Sequence, residues 1–309
     1  MRDYWRGSVE TWECDEMGHM NVRFWVRRAY DGLMLLATDL GLERAFAREA
    51  SATWLPVSQH IRFLKEAHAG TPLFFRAGVI EITEAHITLY GEIVHSVSGV
   101  IGATFQTKLF HVEASTGRIF PWPSRTHSLA SALLVAVPPH GKPRSVAFDG
   151  PVEAIDVKEL SASGFRQVGL ATVRPQDVDV FDRLYPEGMM ALVSNGVPNL
   201  MMAWRDQINA ELAAEEDSPR QTGAAVLEYR LDYLAWPRPG DFIALHSGLA
   251  KIGEKTLTLK HVLLHPVTGQ IWSVCEAVAV TFDLVARKIV SNPPKVRALM
   301  EQVIIRPNG

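Results

Sequence analysis

The sequence is poor in cysteine. Of 309 residues two are Cys, Cys14 and Cys275. They lie far apart, each in a stretch that reads as buried or half-buried. They do not read as a disulfide framework, and they suit a reducing compartment. Two cysteines alone also do not make a typical structural zinc site. Long apolar runs are missing: no stretch approaches the roughly 20 residues needed to span a bilayer. The opening Met1-Arg2-Asp3-Tyr4-Trp5-Arg6 lacks the apolar core of a signal peptide. The expected location is the cytoplasm, with no membrane partner. Charge of one sign is missing too. The 31 Lys and Arg are scattered among 34 Asp and Glu, for a formal net charge of -3. No basic stripe exists, which argues against a nucleic-acid partner.

What is present is core-forming material. Hydrophobic residues make up 47% of the chain, ample for a core, and the length allows two modest domains or one large one. One stretch stands out, Trp12-Glu13-Cys14-Asp15-Glu16-Met17-Gly18-His19-Met20-Asn21-Val22. It puts an acid, a glycine, an imidazole and a carboxamide just ahead of a helical pattern. A carboxylate there can take a proton from water. The free N–H groups of a helix start can hold a developing oxyanion.

The pattern predicts a strand over 8–13 and a mostly buried helix from Val22 to about Leu40, stopped by Gly41. Strands are predicted at 57–64, 73–82, 86–97 and 102–112, with Thr116-Gly117 as a turn. A short helix capped by Ser124 follows, and Pro138-Pro139-His140-Gly141-Lys142-Pro143 reads as a linker. The domain expectation is 1–137, a linker at 138–163, and 164–309.

The second half repeats the order. A strand at 164–173 leads through Asp177, Asp179 and Pro186 into a helix bearing Met189, Val193, Leu200 and Trp204. Four strands follow, at 224–234, 241–252, 256–264 and 271–282. Asp15 recurs as Asp179 and Val9 as Val173, at one spacing. Ile61-Arg62-Phe63-Leu64 recurs as Leu231-Asp232-Tyr233-Leu234, and Gly70 as Gly240, at a slightly longer one. Thr116-Gly117 resembles Thr268-Gly269 at a shorter one. Two such copies make an internal pair.

Strand, Cys14-Asp15-x-x-Gly18-His19-x-Asn21, buried helix, then four strands resembles the hotdog fold. More narrowly it looks like the 4-hydroxybenzoyl-CoA and acyl-ACP thioesterase branch. The resemblance covers nearly the whole chain as two fused hotdogs. It implies an α+β fold, each copy an antiparallel sheet wrapped around a long helix, the two forming a pseudo-dimer. It also implies hydrolysis of an acyl-CoA or acyl-carrier-protein thioester, without metal or organic cofactor. The Asp matching Asp15 would be the catalytic carboxylate, as general base or as nucleophile. The backbone N–H near Val22 would polarise the carbonyl. His19 would orient water or share a proton with Asp15, unless it is a plain loop histidine. Asn21 would hold the thioester oxygen or cap the helix. Cys14 reads as a small packed residue.

In the second copy the motif departs from the pattern. Gly18, His19 and Asn21 become Asp182, Arg183 and Tyr185. Asp179 is either a second site or a capping relic, and Arg183 is placed to pin it as a salt bridge. Ser194 and Asn195, with Asn199, are candidates for an opposite wall, or simply helix hydrogen-bonders. Arg62 and Lys65 are candidates for a CoA phosphate, as are Arg23, Arg27 and Arg28; the plain alternative is solvated charge. The loop 44–54 is a candidate lid by position. A non-catalytic acyl-CoA-binding module is the alternative from a different class. A hotdog hydratase is disfavoured, because no Asn-Pro-x-x-His-x-Asp run is present. Further pairing of copies would use an exposed sheet edge.

Overall fold

The computed structural model describes residues 1–152, 154–213, 222–283, 285–286 and 288–306. The chain divides into two compact units. The first takes Met1–Arg144, Val173–Ala191 and Trp236–Pro239; the second takes Ser145–Thr172, Leu192–Ala235 and Gly240–Gly309.

In the first unit β1 (Arg2–Ser8) precedes a short 3-10 turn (Thr11–Glu13) and α1 (Val22–Asp39). Then come β2 (Ala52–Phe63), β3 (Pro72–Ile82), β4 (His86–His95), β5 (Ile101–Glu113) and α2 (Ser124–Ser131). The strands form an antiparallel sheet in the order β1-β3-β4-β5-β2. Along α1, Trp25, Val26, Ala29, Leu33, Leu36 and Ala37 are buried at helical spacing. The helix presses close to the sheet at Gly32. A Cβ there would fall 2.2 Å from the Phe75 ring of β3, so only glycine leaves room for that ring. Gly41, at φ +75°, follows the helix end in the left-handed conformation that glycine adopts freely.

The second unit holds β6 (Arg166–Thr172), most of α3 (Pro186–Ala213), β7 (Thr222–Tyr233), β8 (Phe242–Ile252), β9 (Thr256–Leu264) and β10 (Ile271–Asp283). The two-residue β11 (Lys288–Ile289) and α4 (Pro294–Glu301) complete it. The order is β6-β8-β9-β10-β7, with β11 on β10. This reproduces the first sheet strand for strand. Gly196 of α3 serves as Gly32 does, since its Cβ would lie 2.3 Å from Leu245. Asn199 of α3 donates to the Val168 carbonyl of β6 at 2.8 Å. The architecture is therefore α+β, two tandem copies of a helix on an antiparallel sheet.

Several local expectations are corrected. The first strand is Arg2–Ser8, not 8–13; Thr11–Glu13 turns because Glu10 and Glu13 cap one another reciprocally. The second strand begins at Ala52, so the end of the presumed lid is strand. Its Trp54 is buried against Phe46 and Trp122. Ser124 does not cap α2; Pro123 holds the cap position with no side-chain bond. Thr268-Gly269 does not match Thr116-Gly117. Gly269 closes the β9–β10 turn by donating to the His265 carbonyl, as Gly99 closes the β4–β5 turn on His95. Thr-Gly recurs at both turns because each needs a left-handed residue, Gly117 at φ +73° and Gly269 at φ +74°.

Candidate functional site

The loop from Glu13 to Asn21 is folded by its own backbone. Cys14 and Met20 form an antiparallel bridge, Asp15 N–H donates to the His19 carbonyl at 2.8 Å, and Gly18 turns with φ +75°. The half-buried Asp15 side chain sits at the centre of this turn. Its Oδ1 accepts the Met17 and His19 N–H groups at 2.9 and 3.0 Å. Among the described residues Oδ2 has no hydrogen-bond partner. Asn21 is the N-cap of α1: its Oδ1 accepts the Arg23 N–H at 3.0 Å, and its carbonyl takes the Phe24 N–H at 2.9 Å. Val22 N–H is then the first-turn donor with no partner among the described residues.

Two side chains missed in the sequence hold this loop in place. Glu13 is 1% exposed; it accepts the Glu10 N–H at 3.0 Å and the Arg28 guanidinium of α1. Arg28 also lies 5.2 Å over the Trp5 ring. Glu66 reaches the His19 Nε2 at 3.3 Å. That pairing exists because His19 bridges to His68, and Met20 N–H donates to Ala67 at 2.8 Å. Glu13 adjoins the motif and was open to suspicion. Glu66 was not, because only the tertiary bridge brings it to His19.

The remaining candidates fall elsewhere. Arg62 Nη1 donates to the carbonyls of His140 and Lys142 at 2.8 and 3.1 Å, fastening the chain after α2. Lys65 is exposed, just past β2 rather than on it. Arg28 is committed to Glu13, Arg23 lies over Phe24, and Arg27 is exposed. Ser194 and Asn195 are in the second unit on α3, half-buried and exposed respectively.

The sequence model of the thioesterase-like superfamily matches residues 9–133 and 173–300, each beginning just after the first strand of its copy and taking in the motif loop, the helix and the strands that follow. The chain belongs to that superfamily. Its fold is also that of a 12:0-ACP thioesterase from Umbellularia californica, with a TM-score of 0.67 at 11% identity over 90% of this chain and 93% of that one. An acyl-ACP thioesterase from Bacteroides thetaiotaomicron gives a TM-score of 0.60 at 10% identity, covering 89% and 96%. An L-carnitine dehydrogenase/betainyl-CoA thioesterase from Rhizobium meliloti is 29% identical over 110 residues. That match takes in 36% of this chain and 22% of the relative's own length.

Within this thioesterase-like chain the second motif keeps the loop and changes the chemistry. Asp179 Oδ1 accepts the Phe181 and Arg183 N–H groups at 2.8 and 2.9 Å, as Asp15 does at Met17 and His19. Leu184 N–H donates to Pro237 as Met20 does to Ala67. Asp182 takes the place of Gly18 at φ 60°, a conformation that aspartate tolerates better than most side chains. Arg183 does not pin Asp179. Among the described residues no ion pair joins them. The guanidinium instead donates to the Ala114 carbonyl and stacks on Phe181. Burial raises the Asp179 carboxyl above its usual range, against the pull of its two N–H donors. Glu187, in the first turn of α3, is 9% exposed, its Oε2 has no hydrogen-bond partner among the described residues, and burial pushes it up to about 7.

Proposed function

We propose that the protein hydrolyses an acyl thioester, carried on CoA or on an acyl-carrier protein, at the Asp15 loop. The observation that carries the reading is that one motif loop leaves both a carboxylate oxygen, Asp15 Oδ2, and the first helix N–H, at Val22, without a partner among the described residues. Asp15 Oδ2 takes a proton from the attacking water, or attacks the carbonyl itself. As base, it passes the water's proton to the leaving thiolate as the C–O bond forms at the carbonyl carbon and the C–S bond breaks; as nucleophile, it forms the C–O bond as the C–S bond breaks, and water then cleaves the resulting anhydride, supplying the thiolate's proton and freeing Asp15. Val22 N–H receives the charge that develops on the carbonyl oxygen. His19, held by Glu66, is placed to shuttle the proton, and Asn21 shapes the helix start as its cap. The same proposal takes 1–137 and 164–309 as the two hotdog copies, with 138–163 as linker, and the first copy as the working site.

The test is thiol release from short, medium, long, aromatic and betainyl acyl-CoAs and from a dodecanoyl carrier protein. The named relatives span the last two classes. Asp15→Asn should lower turnover on the best substrate by about 10²–10⁴-fold, the range for a lost general base. Asp179→Asn should leave most of it. Unchanged turnover in Asp15→Asn would move the site elsewhere. No release from any thioester would favour an acyl-CoA-binding module.

A further inference from the structure

Three side chains converge where the motif loop meets the turn after β2. One ring nitrogen each of His19 and His68 and one carboxylate oxygen of Glu66 lie within 4.8 Å of one another. The backbone under them is fixed. His19 bridges to His68, and Met20 N–H donates to Ala67 at 2.8 Å. His19 N–H is held by Asp15 Oδ1 at 3.0 Å, and His68 N–H by Thr71 Oγ1 at 3.1 Å.

The ring of His68 is held as well. Its Nδ1 lies 3.0 Å from the Gly18 carbonyl. A carbonyl only accepts, so Nδ1 carries the proton and Nε2 keeps its lone pair. A backbone carbonyl on the far nitrogen is the usual outer support of a metal-ligating histidine. His19 Nε2 is 3.3 Å from Glu66 Oε2, and the two imidazole rings are 4.9 Å apart edge to face. The side chains of His19 and Glu66 are 20% and 38% exposed, so an ion reaches them from solvent.

We propose that His19, Glu66 and His68 bind a divalent transition-metal ion of the zinc class, and that the ion reversibly shuts the Asp15 site by taking up His19. Two imidazoles and one carboxylate form a three-ligand set with a position left for water. Such nitrogen-rich sets favour Zn²⁺, Co²⁺ or Ni²⁺ over Mg²⁺ and Ca²⁺, which seek oxygen. Bonds of about 2.0–2.1 Å bring tetrahedral ligand atoms to about 3.4 Å apart. His19 Nε2 and Glu66 Oε2, 3.3 Å apart, already stand at that spacing, and the His68 nitrogen has to close in from no more than 4.8 Å. The binding claim stands on the triad alone; the inhibition claim rests on the thioesterase reading.

The experiment uses the full chain freed of metal by chelator, titrated calorimetrically with Zn²⁺ and with Mg²⁺. One Zn²⁺ per chain is expected, with no Mg²⁺ uptake. His68→Ala and Glu66→Gln should each weaken Zn²⁺ at least 10-fold, and Asp15→Asn should not. Absent uptake, or uptake unchanged in His68→Ala, overturns the site. If a variant fails to fold, the Co²⁺ spectrum of the unaltered chain decides. Visible ligand-field bands without thiolate charge transfer support the triad, whereas thiolate charge transfer would give the ion to Cys14 and overturn it. Hydrolysis is then followed by loss of thioester absorbance, because the released thiol itself binds zinc. Zinc should suppress turnover at least 10-fold and chelator restore it. His68→Ala should resist zinc when compared with its own metal-free rate. Full turnover with zinc bound overturns the inhibition. Absence of turnover without zinc counts against the thioesterase reading and leaves the calorimetry to judge the site.

Discussion

At Val22 a side chain matters less than the backbone beneath it. The residue occupies the first helical position of α1, where proline is well tolerated because no intrahelical carbonyl needs its N–H. Asn21 ahead of it already has φ -63° and ψ 142°, the extended conformation that a following proline demands. Val22→Pro should therefore delete the proposed oxyanion donor and leave the helix in place. We expect turnover to fall by about 10²–10³-fold, the cost typical of one lost oxyanion donor. Far-UV circular dichroism and melting temperature should change little. Undiminished turnover in the folded variant would remove Val22 N–H from the mechanism.

The motif loop, as an element, is anchored from below by a single buried ion pair. Glu13 accepts from Arg28 and from the Glu10 N–H, and its own carbonyl takes the Asn21 N–H at 2.8 Å. The loop is thereby fastened to α1 about two turns beyond the cap. Removing one partner of a buried pair strands the other charge, at a cost of about 3–5 kcal/mol. Glu13→Ala should lose stability of that order in urea unfolding. It should also lose turnover beyond what the unfolded fraction explains, because Asp15 and Asn21 lose their common support. Arg28→Ala should cost at least as much, since it strands Glu13 at 1% exposure, whereas Glu13→Ala leaves Arg28 18% exposed with Asp31 as a second partner. The corresponding position of the second motif is Asp177, which is not buried. Tyr185 N–H still donates to its carbonyl at 3.1 Å. The backbone design is repeated while the side-chain anchor is not.

Over the whole molecule two buried groups set opposing pH dependences. Glu187, in the first unit, faces Tyr30, Asp31, Arg27 and Arg23 from α1 and Tyr185 from the loop ahead of it. Burial raises it from 4.5 to about 7. The folded chain binds that proton more tightly than the unfolded one, so its stability falls as pH rises from about 4.5 to 7. His261, in the second unit, is fully buried with Nδ1 2.8 Å from Ser247 Oγ, and burial lowers it from 6.5 to about 4. Here the unfolded chain binds the proton more tightly, so stability is lost as pH falls from about 6.5 to 4. Each shift corresponds to about 3 kcal/mol. Glu187→Gln should flatten the loss of stability on going from pH 5 to 8. His261→Gln should flatten the loss on going from pH 6.5 to 4. Urea denaturation across that range checks both, and parallel profiles for the variants and the parent chain would refute the assignment.

Much of this was written in the sequence. Apolar spacing settles α1, because a buried helix face must repeat every three to four residues. Alternating apolar residues settle β3, β4 and β9, and glycine settles the tight turns, because few other residues adopt positive φ. The repeat was legible because both copies need the same Asp to gather two N–H groups at the same turn. The family followed from that loop. Tertiary structure alone decided what closes around it. Glu66 meets His19, and Glu13 meets Arg28, through pairings distant in sequence that no local pattern encodes. Arg62 turns to two carbonyls instead of standing free, and Arg183 leaves Asp179 for the Ala114 carbonyl. A charged side chain goes wherever the packed backbone leaves an acceptor, and the position of that acceptor is fixed only once the chain has folded.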